Sequence, residues 1–582
     1  MGNSRFQQLL AYLSPHRKDV YIGIVALFIV NGIGAYIPRL IGNSVDELRG
    51  TLSFEVLLRY VFLIGILASI MWVIRMVSRI TIFGIGRKVE FDLKQRIFQH
   101  LLRLEPGYFS SNSTGDLINR ATSDVDNIRR LLGFAVLSSI NTVFAYGLTL
   151  PFMLAINVRL TLATIAIYPL MLIAVQLFSA KLQAEQRTVQ ERLSDLSQLI
   201  QEDMSGISLI KIYAQEVNER LAFRRKNEQL LSANLKLART RNVLFPVVEG
   251  LSYLSLLILL WLGSSAIANN TISVGDFVAL ITYVERLVFP TALLGFTITT
   301  YQRGEVSIER VEAIFDVQPQ IKDRRDSLEL PLERVKGAIA ARDLSYTYPG
   351  AKNPALKQLN FTIQSGEKVA IVGSIGSGKS TLANVIPRLL DLQSGQLFLD
   401  EYDVTEVKLA DLRRAIAYVP QDSFLFSTTI QNNIRYGEPV AEQPIVESAA
   451  KIAQIHPEIQ NFPKEYNTLV GERGITLSGG QRQRTSLARA LLIDAPVLIL
   501  DDALSSVDNQ TATQILDNLS QGVQRKTVIF ISHQLSAAAT ADRIFVMDAG
   551  EIVQIGTHED LVESPGLYQS LWQQHQLEEV LQ

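Results

Sequence analysis

The sequence predicts a multidomain chain: an all-α polytopic membrane domain of six transmembrane helices with long cytoplasmic extensions, followed by an α/β domain with a phosphate-binding P-loop. Three observations support this fold class. Nearly all long apolar runs lie before residue 305, and after about residue 335 the chain has the composition of an ordinary soluble α/β domain. The stretch from Gly373 to Ser380 matches G-x-x-x-x-G-K-[ST] between an apolar strand and a helix. The predicted boundaries are 1–305, a charged linker at 306–335, and 336–582.

Composition excludes several classes of protein. The chain has 582 residues, is 48% hydrophobic and carries a formal net charge of only −2, so no general attraction to nucleic acid is expected. It has no cysteine, which excludes disulfides and thiolate metal sites. No short apolar run near the N-terminus ends in a small-residue cleavage site, so no cleavable signal peptide is predicted.

The first domain contains six runs long enough to cross a membrane. They lie near residues 19–43, 56–86, 133–155, 158–180, 243–268 and 274–300. Each supplies the ~20 mostly apolar residues that a transmembrane helix needs. Runs such as 251–261 are apolar on every side, which argues against the buried core helices of a soluble protein.

The distribution of Lys and Arg predicts the orientation. These residues are concentrated before the first span and in segments 87–132 and 181–242, whereas the loop 269–273 has none. The positive-inside rule therefore places both termini and the second domain in the cytoplasm. The two basic segments are then cytoplasmic helical extensions. Near their middles, 107–116 and 206–216 combine an aromatic residue with polar residues, which is typical of a docking surface or of a plain helical turn.

The charged residues within the predicted spans include Arg75, Arg79, Glu249, Glu285 and Arg286. A charge inside the bilayer is costly, and so it often marks a substrate or proton pathway. Positions at span ends, in the walls of a water-filled cavity or in structural pairs are the alternative interpretation. The sequence assigns no catalytic role to any of them.

The phosphate-binding loop follows a predicted strand at 368–372 and precedes a predicted helix at 382–390. Its glycines allow the backbone to aim several N–H groups at one phosphate. Lys379 is expected to reach the β and γ phosphates, and Ser380 to hold Mg²⁺. The residues predicted to bind the nucleotide here are Gly373, Ser374, Ile375, Gly376, Ser377, Gly378, Lys379, Ser380 and Thr381.

Further motifs in the second domain suit the same chemistry. Tyr348 precedes a Pro-Gly turn and could stack on a purine, although an aromatic residue there can also be part of the core. The run 477–481 places two glycines and a serine at a helix start, which makes a second phosphate-binding device. An apolar strand ends in Asp501 and Asp502, as a Mg²⁺ site requires. Another apolar strand ends in His533.

In the order of these motifs, the chain resembles a half-size ABC exporter over essentially its full length. The matching residues are the stacking aromatic Tyr348, the Walker A loop at 373–380, the Q-loop Gln421, the acidic Glu472, the LSGGQ signature with Ser478, Gly479, Gly480 and Gln481, Walker B ending at Asp501, the D-loop ending at Asp508, and the switch histidine His533. The segments 107–116 and 206–216 are similar to the coupling helices of the family.

The resemblance implies a mechanism and partners. ATP and Mg²⁺ are the expected cofactors, with Mg²⁺ held by Ser380, Gln421 and Asp501, and with Asp502, His533 and Gln421 as catalytic residues. Two such domains are expected to face each other head to tail, so that ATP on one Walker A loop is capped by the signature of the other. The partner is a second half-transporter, in the same bilayer.

The expected function is ATP-driven export, by alternating access, of a hydrophobic or amphipathic substrate that resembles a drug or a lipid. An ATP-regulated membrane gate with little transport-coupled hydrolysis is the alternative. A half-size chain without a targeting sequence is expected in a bacterial inner membrane. The sequence leaves the particular substrate open.

One residue departs from the family pattern. The family usually has Glu directly after the Walker B aspartate, and this chain has Asp502, which is one methylene shorter. A displacement of about 1 Å can cost on the order of 100-fold in rate. The chain therefore resembles the subunit of heterodimeric exporters whose own site is slow, while its intact signature completes the partner's site. A homodimer with two slow sites is the alternative.

Overall fold

The computed structural model describes residues 5–50, 54–471, 474–520 and 526–581. The chain divides into two compact units. The first comprises Met1–Arg103 and Asn112–Val317, and the second comprises Leu104–Ser111 and Gln318–Gln582.

Within the described ranges, the first unit contains helices and their connecting turns but no strand. Six of its described helical segments are long and apolar enough to cross a membrane: Leu9–Arg49, Phe54–Leu101, Thr114–Ile156, Val158–Ser205, Glu216–Ala268 and Val274–Phe315. Each contains one of the predicted apolar runs, so the prediction of six spans is confirmed. Five of them extend beyond their predicted span by 15 residues or more at one end, and four of these extensions form most of the segments 87–132 and 181–242.

The helices of residues 5–317, of which α4 alone belongs to the second unit, have the following bounds: α1 (Arg5–Leu13), α2 (Arg17–Gly50), α3 (Phe54–Leu101), α4 (Pro106–Ser111), α5 (Thr114–Asn119), α6 (Val125–Arg130), α7 (Val136–Ile156), α8 (Val158–Ile165), α9 (Tyr168–Ser205), α10 (Ile207–Ile212), α11 (Glu216–Ala268) and α12 (Val274–Phe315). Short π-helical segments at Arg120–Asp124 and Leu131–Ala135 join α5, α6 and α7.

The span predicted at 158–180 is interrupted. Helix α8 ends at Ile165, and α9 begins at Tyr168 with Pro169 in its first turn. Proline has no backbone N–H to donate to the preceding turn, and its ring clashes there, so a continuous helix is broken at this point. At the other end of the domain, α12 continues to Phe315, so the first ten residues of the predicted linker 306–335 are helical.

Helices α2 and α12 cross closely because both carry glycine at the crossing. A Cβ atom on Gly42 would lie 2.6 Å from the carbonyl oxygen of Gly275, and a Cβ atom on Gly275 would overlap the carbonyl of Gly42. Small residues allow this close approach in membrane helices. Next to the crossing, Asp46 accepts a hydrogen bond of 2.7 Å from the backbone N–H of Gly275. The crossing holds the N-terminal half of α12 against α2.

The second unit contains two sheets. Its strands are β1 (Ile339–Tyr346), β2 (Leu356–Ile363), β3 (Lys368–Gly373), β4 (Leu397–Leu399), β5 (Tyr402–Asp403), β6 (Ile416–Val419), β7 (Val497–Asp501), β8 (Thr527–Ile531), β9 (Arg543–Asp548) and β10 (Glu551–Gly556). A four-stranded sheet has the order β2-β1-β4-β5, and a six-stranded sheet has the order β10-β9-β3-β8-β7-β6. Strands β9, β3, β8, β7 and β6 are parallel, and β10 is antiparallel.

Helices flank these sheets: α13 (Lys379–Val385), α14 (Leu409–Arg414), α15 (Ile430–Ile434), α16 (Gln443–Ile452), α17 (His456–Gln460), α18 (Gly479–Leu492), α19 (Asn509–Ser520), α20 (Leu535–Ala538), α21 (His558–Glu563) and α22 (Leu567–Leu581). The six-stranded sheet is covered on both faces. Along β3, Ala370 and Val372 pack into one core, and Val369 and Ile371 into the other. Parallel strands buried in this way are apolar on both faces.

The segment 107–116 does not form one element. Its first part belongs to α4, in the second unit, where the preceding Glu105 carboxylate accepts a hydrogen bond of 2.8 Å from the backbone N–H of Ile321. Its last part begins α5, in the first unit, where the Ser113 side chain accepts the Asp116 N–H at 3.3 Å. The segment predicted as a docking surface or a helical turn is therefore divided between α4 and α5.

Candidate functional site

The predicted site residues follow the carboxyl ends of neighbouring strands. Strands β3, β8, β7 and β6 are consecutive in the parallel part of the six-stranded sheet. The phosphate-binding loop follows β3, Ser532 and His533 follow β8, Asp501 ends β7, and Gln421 lies two residues beyond β6. Parallel strands present their carboxyl ends at one edge, which is where open α/β sheets bind ligands.

The phosphate-binding loop depends on its glycines. Gly373, Gly376 and Gly378 all have positive φ, at 145°, 81° and 99°. A Cβ atom on Gly373 would overlap the carbonyl of Met547, and one on Gly378 would lie 2.6 Å from the carbonyl oxygen of Ala355. At Gly373 and Gly378, no other residue type fits both the conformation and the space.

The remaining loop residues have distinct environments. The Ser374 hydroxyl donates to Asp548 Oδ1 at 2.6 Å, and the Ser377 backbone carbonyl accepts the Gly550 N–H at 3.1 Å. Both contacts tie the loop to the turn after β9. Ile375 is 94% exposed, at the tip of the loop, whereas Thr381 is buried in the first turn of α13.

Helix α13 begins at Lys379, earlier than predicted, and ends at Val385 instead of continuing to Leu390. Pro387 accounts for the early end, because proline cannot continue the hydrogen-bond ladder and disfavours helical backbone at the residue before it. The consequence is that Lys379 and Ser380 both lie in the first helical turn, directly after the loop.

Lys379 is buried and points back into the loop. Its Nζ donates to the carbonyls of Gly373 at 3.0 Å and Ser374 at 2.8 Å. Burial lowers the pKa of Lys379, while the carboxylates of Asp502 and Asp501 oppose this shift. The ammonium group is thus held inside the curve of the loop, where a phosphate oxygen could replace the carbonyl partners.

Ser380 and Asp501 meet at the predicted Mg²⁺ position. The Ser380 hydroxyl donates to Asp501 Oδ1 at 2.9 Å, and the Tyr418 hydroxyl lies 3.3 Å from Asp501 Oδ2. Burial raises the pKa of Asp501, hydrogen bonds from Ser380 and Tyr418 lower it, and neighbouring Asp502 raises it. A buried carboxylate beside a second carboxylate and a hydroxyl is a set of hard oxygen donors that fits Mg²⁺.

Asp502 adopts an unusual backbone conformation directly after β7. Its φ is +50°, in the left-handed region, and its side chain is buried. The Asp502 N–H donates to the carbonyl of Ile531 at 3.1 Å, and its carbonyl accepts the Ser505 hydroxyl at 2.9 Å. Asp and Asn are enriched several-fold among residues with this conformation, because their short side chains tolerate it. The backbone at 502 therefore favours Asp over a longer acid.

Three predicted residues stand at the open side of the site. Tyr348 is 41% exposed, and its hydroxyl lies 3.1 Å from the Thr381 hydroxyl, which fixes the ring beside the start of α13. Gln421 is exposed. His533 is also exposed, and it lines a small cavity of about 130 Å³ together with Val372 and Gly373. All three side chains are exposed to solvent.

The signature lies at a helix start, as predicted, and the structure shows in addition that this start is capped. Ser478 is the N-cap of α18, and its hydroxyl accepts the Gln481 N–H at 3.3 Å while the Gln481 side chain accepts the Ser478 N–H at 3.0 Å. This is a reciprocal capping box. Gln481 also donates to Glu458 at 2.8 Å, and Ser478 is exposed. The capped helix start is therefore accessible at Ser478 and partly accessible at Gly479 and Gly480.

The D-loop at 505–508 packs directly on the signature helix. The Gln483 side chain accepts the Ser506 N–H at 2.8 Å and donates to the Ser505 hydroxyl at 3.0 Å. Asp508 caps α19 by accepting the Thr511 N–H at 2.9 Å, and this backbone hydrogen bond lowers the pKa of Asp508. Signature and D-loop therefore form one connected surface.

The two signature glycines have different structural roles, which gives a matched pair of variants. A Cβ atom on Gly480 would lie 2.8 Å from the Ser506 carbonyl, whereas one on Gly479 would make an ordinary 3.6 Å contact. We expect Gly480→Ala to displace the D-loop and lower the melting temperature of the purified chain. We expect Gly479→Ala to leave the melting temperature unchanged or to raise it, since Ala stabilises a helix by up to ~1 kcal/mol relative to Gly. Equal melting temperatures for the two variants would contradict the packing.

Sequence reasoning missed three side chains that support the site. Tyr418 stands in β6 with its hydroxyl near Asp501, and its only sequence signal is its position three residues before Gln421. Gln483 and Glu458 hold the D-loop and the signature; Gln483 follows the signature by two residues, but Glu458 lies 23 residues from Gln481 and leaves no local signal. Glu472 lies outside the described residues.

Comparison with known proteins agrees with this arrangement. Residues 20–291 match the model of the ABC transporter transmembrane region, and residues 356–505 match the ABC transporter model. The chain is 32% identical to an ATP-dependent lipid A-core flippase of Syntrophus aciditrophicus (strain SB), over 99% of this chain and 95% of that protein. It is also 32% identical to the multidrug resistance-like ATP-binding protein MdlA of Escherichia coli (strain K12), over 99% of this chain and 97% of that protein.

A solved structure of a bacterial Atm1-family ABC exporter with ATP bound superimposes with a TM-score of 0.75 at 26% identity, covering 96% of this chain and 98% of that one. The chain belongs to the ABC transporters and is a half-size ABC exporter: a helical membrane domain followed by an ABC nucleotide-binding domain. It uses ATP, and it is an ATPase coupled to export across a membrane.

Proposed function

We propose that this chain exports an amphipathic, drug- or lipid-like substrate, and that it does so as one half of a dimer. The observation that carries the proposal is the meeting of the Walker A serine and the Walker B aspartate at 2.9 Å beneath a glycine loop, on a chain that also has six membrane-spanning helices. Relatives that span nearly the whole chain are a lipid A-core flippase and a multidrug resistance-like protein, which supports this class of substrate.

In this proposal the ATP phosphates lie along the N–H groups of the loop 373–381, and Lys379 contacts the β and γ phosphates. Tyr348 stacks on the adenine. Ser380, Asp501 and Gln421 would hold Mg²⁺, which when bound offsets the charge of the β and γ phosphates. Asp502 positions the attacking water, and His533 contacts the γ-phosphate.

The ATP site is completed by a second subunit. Ser478 and the N–H groups of Gly479 and Gly480 are arranged to bind the partner's γ-phosphate, and Asp508 extends that surface. Ile475, just before the signature, is 79% exposed, and Ile375 on the phosphate-binding loop is 94% exposed. Apolar side chains exposed beside both phosphate-binding elements are consistent with a covering partner domain.

The apolar face of α10 also favours a dimer. Leu209, Ile212 and Tyr213, in and after this short helix between α9 and α11, are each at least 60% exposed. A cluster of this kind on a cytoplasmic turn fits the role of a coupling helix against a second nucleotide-binding domain. With both termini in the cytoplasm, the dimer spans a bacterial inner membrane.

We further propose that the partner is a different half-transporter. At the chain's own site, Asp502 provides a side chain one methylene shorter than the Glu that is usual in the family, while the signature at 477–481 is intact. The competent site of the pair would combine the partner's Walker motifs, with Glu after the aspartate, and the signature of this chain. The left-handed backbone at 502, which suits Asp, supports a site built around the shorter acid.

A test of export is whether a fluorescent amphiphile accumulates in inside-out proteoliposomes only with hydrolysable ATP. An ATP-regulated gate would instead allow passage down the gradient with a non-hydrolysable analogue.

A further inference from the structure

The membrane unit contains a cavity of about 450 Å³ whose charged lining residues are all basic. It lies among α2, α3, α7 and α12, and three of its lining residues are arginines: Arg75, Arg79 and Arg286. Among the described residues that line it, none is acidic. Pockets of 300–1,000 Å³ are the usual size for small-molecule sites.

The three guanidinium groups have no carboxylate partner. Within the described ranges, none of them has an Asp or Glu oxygen within 4.0 Å. Glu285 adjoins Arg286 in sequence, but neighbouring helical residues do not face each other, and Glu285 does not line the cavity. Charges inside a membrane are normally paired. Three arginines without a carboxylate partner around one cavity therefore favour the binding of an anion.

Arg286 is held in place by polar groups that do not neutralise it. Its Nη2 lies 3.3 Å from the Asn31 carbonyl and 3.4 Å from Asn31 Oδ1, while its buried Nε has no hydrogen-bond partner. Asn31 is itself 3% exposed and is fixed by donating to Leu27 O at 2.9 Å and Asn141 Oδ1 at 3.1 Å. This network orients the guanidinium group and leaves its Nε–H without an acceptor.

A glycine makes room for this arrangement. The guanidinium of Arg286 lies against α2 at Gly34, where a Cβ atom would overlap it. By contrast, a Cβ atom on Gly32 of the same helix would meet nothing within 4 Å. The position of Arg286 thus depends on the absence of a side chain at Gly34, but not at Gly32.

The rest of the wall is apolar. Phe83, Phe134 and Phe289 line the cavity with several aliphatic residues. We propose that this cavity binds the anionic head group of an amphipathic substrate, with phosphate-like chemistry at the three arginines and the adjoining alkyl chain on the phenylalanines. The inference rests on the proposed export function, and it specifies the substrate class as anionic amphiphiles. Arginine is well suited to such a head group because its planar donors bind phosphate oxygens in pairs.

The test measures binding without nucleotide, so that its outcome is separate from ATP hydrolysis and transport. The purified full chain, with any partner that copurifies, is placed in phosphatidylcholine nanodiscs and titrated by calorimetry against empty nanodiscs. The probes are dodecyl phosphate, dodecyltrimethylammonium with the same tail, and inorganic phosphate. We expect dodecyl phosphate to bind at least ~10-fold more tightly than either of the others, because only it satisfies both the charge and the apolar wall.

Variants locate the site. Arg286→Gln and Arg79→Gln should each weaken dodecyl phosphate binding by about 10-fold, since each removes a charge-assisted contact. Gly34→Ala should weaken it as well, by displacing Arg286 without changing charge. The controls are Gly32→Ala and Arg303→Gln, which removes an exposed positive charge from α12 outside the cavity.

Equal affinity for the anionic and cationic amphiphiles would overturn the proposal, as would equal effects of the Gly34→Ala and Gly32→Ala variants. Binding of inorganic phosphate as tight as that of dodecyl phosphate would overturn the amphiphile assignment. Charge-selective binding in a chain that fails to transport would uphold the site and contradict the export function instead.

Discussion

Lys379→Ala is expected to reduce ATP hydrolysis by about 10²- to 10³-fold. The loss of one preorganised donor to transition-state charge has an effect of this size. Lys379 Nζ already lies inside the loop, bonded to two loop carbonyls at 3.0 and 2.8 Å, so little rearrangement is needed for it to contact a phosphate. The affinity for ATP should fall as well, because the ammonium group contacts the ground state too.

The measurement is the ATPase rate of the purified chain in lipid, together with nucleotide binding by equilibrium dialysis. Lys464→Ala is the control, because it removes the same charge from an exposed position of the same domain. Melting temperature should be similar for the two variants. If Lys379→Ala kept its rate within a factor of ten, the loop would not be the hydrolytic phosphate site.

Asp502→Glu is expected to raise the turnover of the purified chain by about 100-fold. The added methylene carries the carboxylate by about 1 Å toward the water that attacks the γ-phosphate, and a shift of that length is worth roughly two orders of magnitude. The variant should also be slightly less stable. Glu tolerates the left-handed backbone at 502 less well than Asp does, and strain of this kind costs ~1–3 kcal/mol.

Asp502→Asn serves as the matched control, since it keeps the size and removes the charge; it should abolish the remaining activity. These rates are measured on the chain purified without a partner. A separate preparation tests the heterodimer, because a tagged chain purified from its native cells should bring a second, untagged half-transporter with it. A stoichiometric homodimer that hydrolyses ATP briskly, and that Asp502→Glu barely changes, would contradict both the slow site and the heterodimer.

The sequence predicts the membrane half well wherever composition alone decides the structure. A run of about 20 apolar residues has one stable state in a bilayer, and all six predicted spans form helices. Composition does not predict which residues of two helices contact each other. The contact of Arg286 with Asn31 joins residues 255 positions apart, and the α2–α12 crossing depends on Gly42 and Gly275, which have no distinctive local pattern.

In the soluble half, motifs predict the site because their spacing follows from local geometry. The phosphate-binding loop needs glycine at its positive φ angles, and the capped signature needs Ser478 before a helix start. The supporting residues are harder to predict. Tyr418 reaches Asp501 from a neighbouring strand, and only the sheet order makes them neighbours. The left-handed backbone at Asp502 likewise follows from tertiary contacts, such as its N–H bond to Ile531.

Export driven by hydrolysis is tested most directly by accumulation in inside-out proteoliposomes that contain the chain and its partner. The vesicles are given a panel of fluorescent amphiphiles (anionic, zwitterionic and cationic) with Mg-ATP or with a non-hydrolysable analogue. The control is Ser478→Glu, which places a negative charge in the signature that completes the partner's site. We expect at least one amphiphile to accumulate above its external concentration with ATP alone, and not in the variant. Passage only down the gradient with either nucleotide, or no accumulation of any amphiphile while ATP is being hydrolysed, would contradict the account.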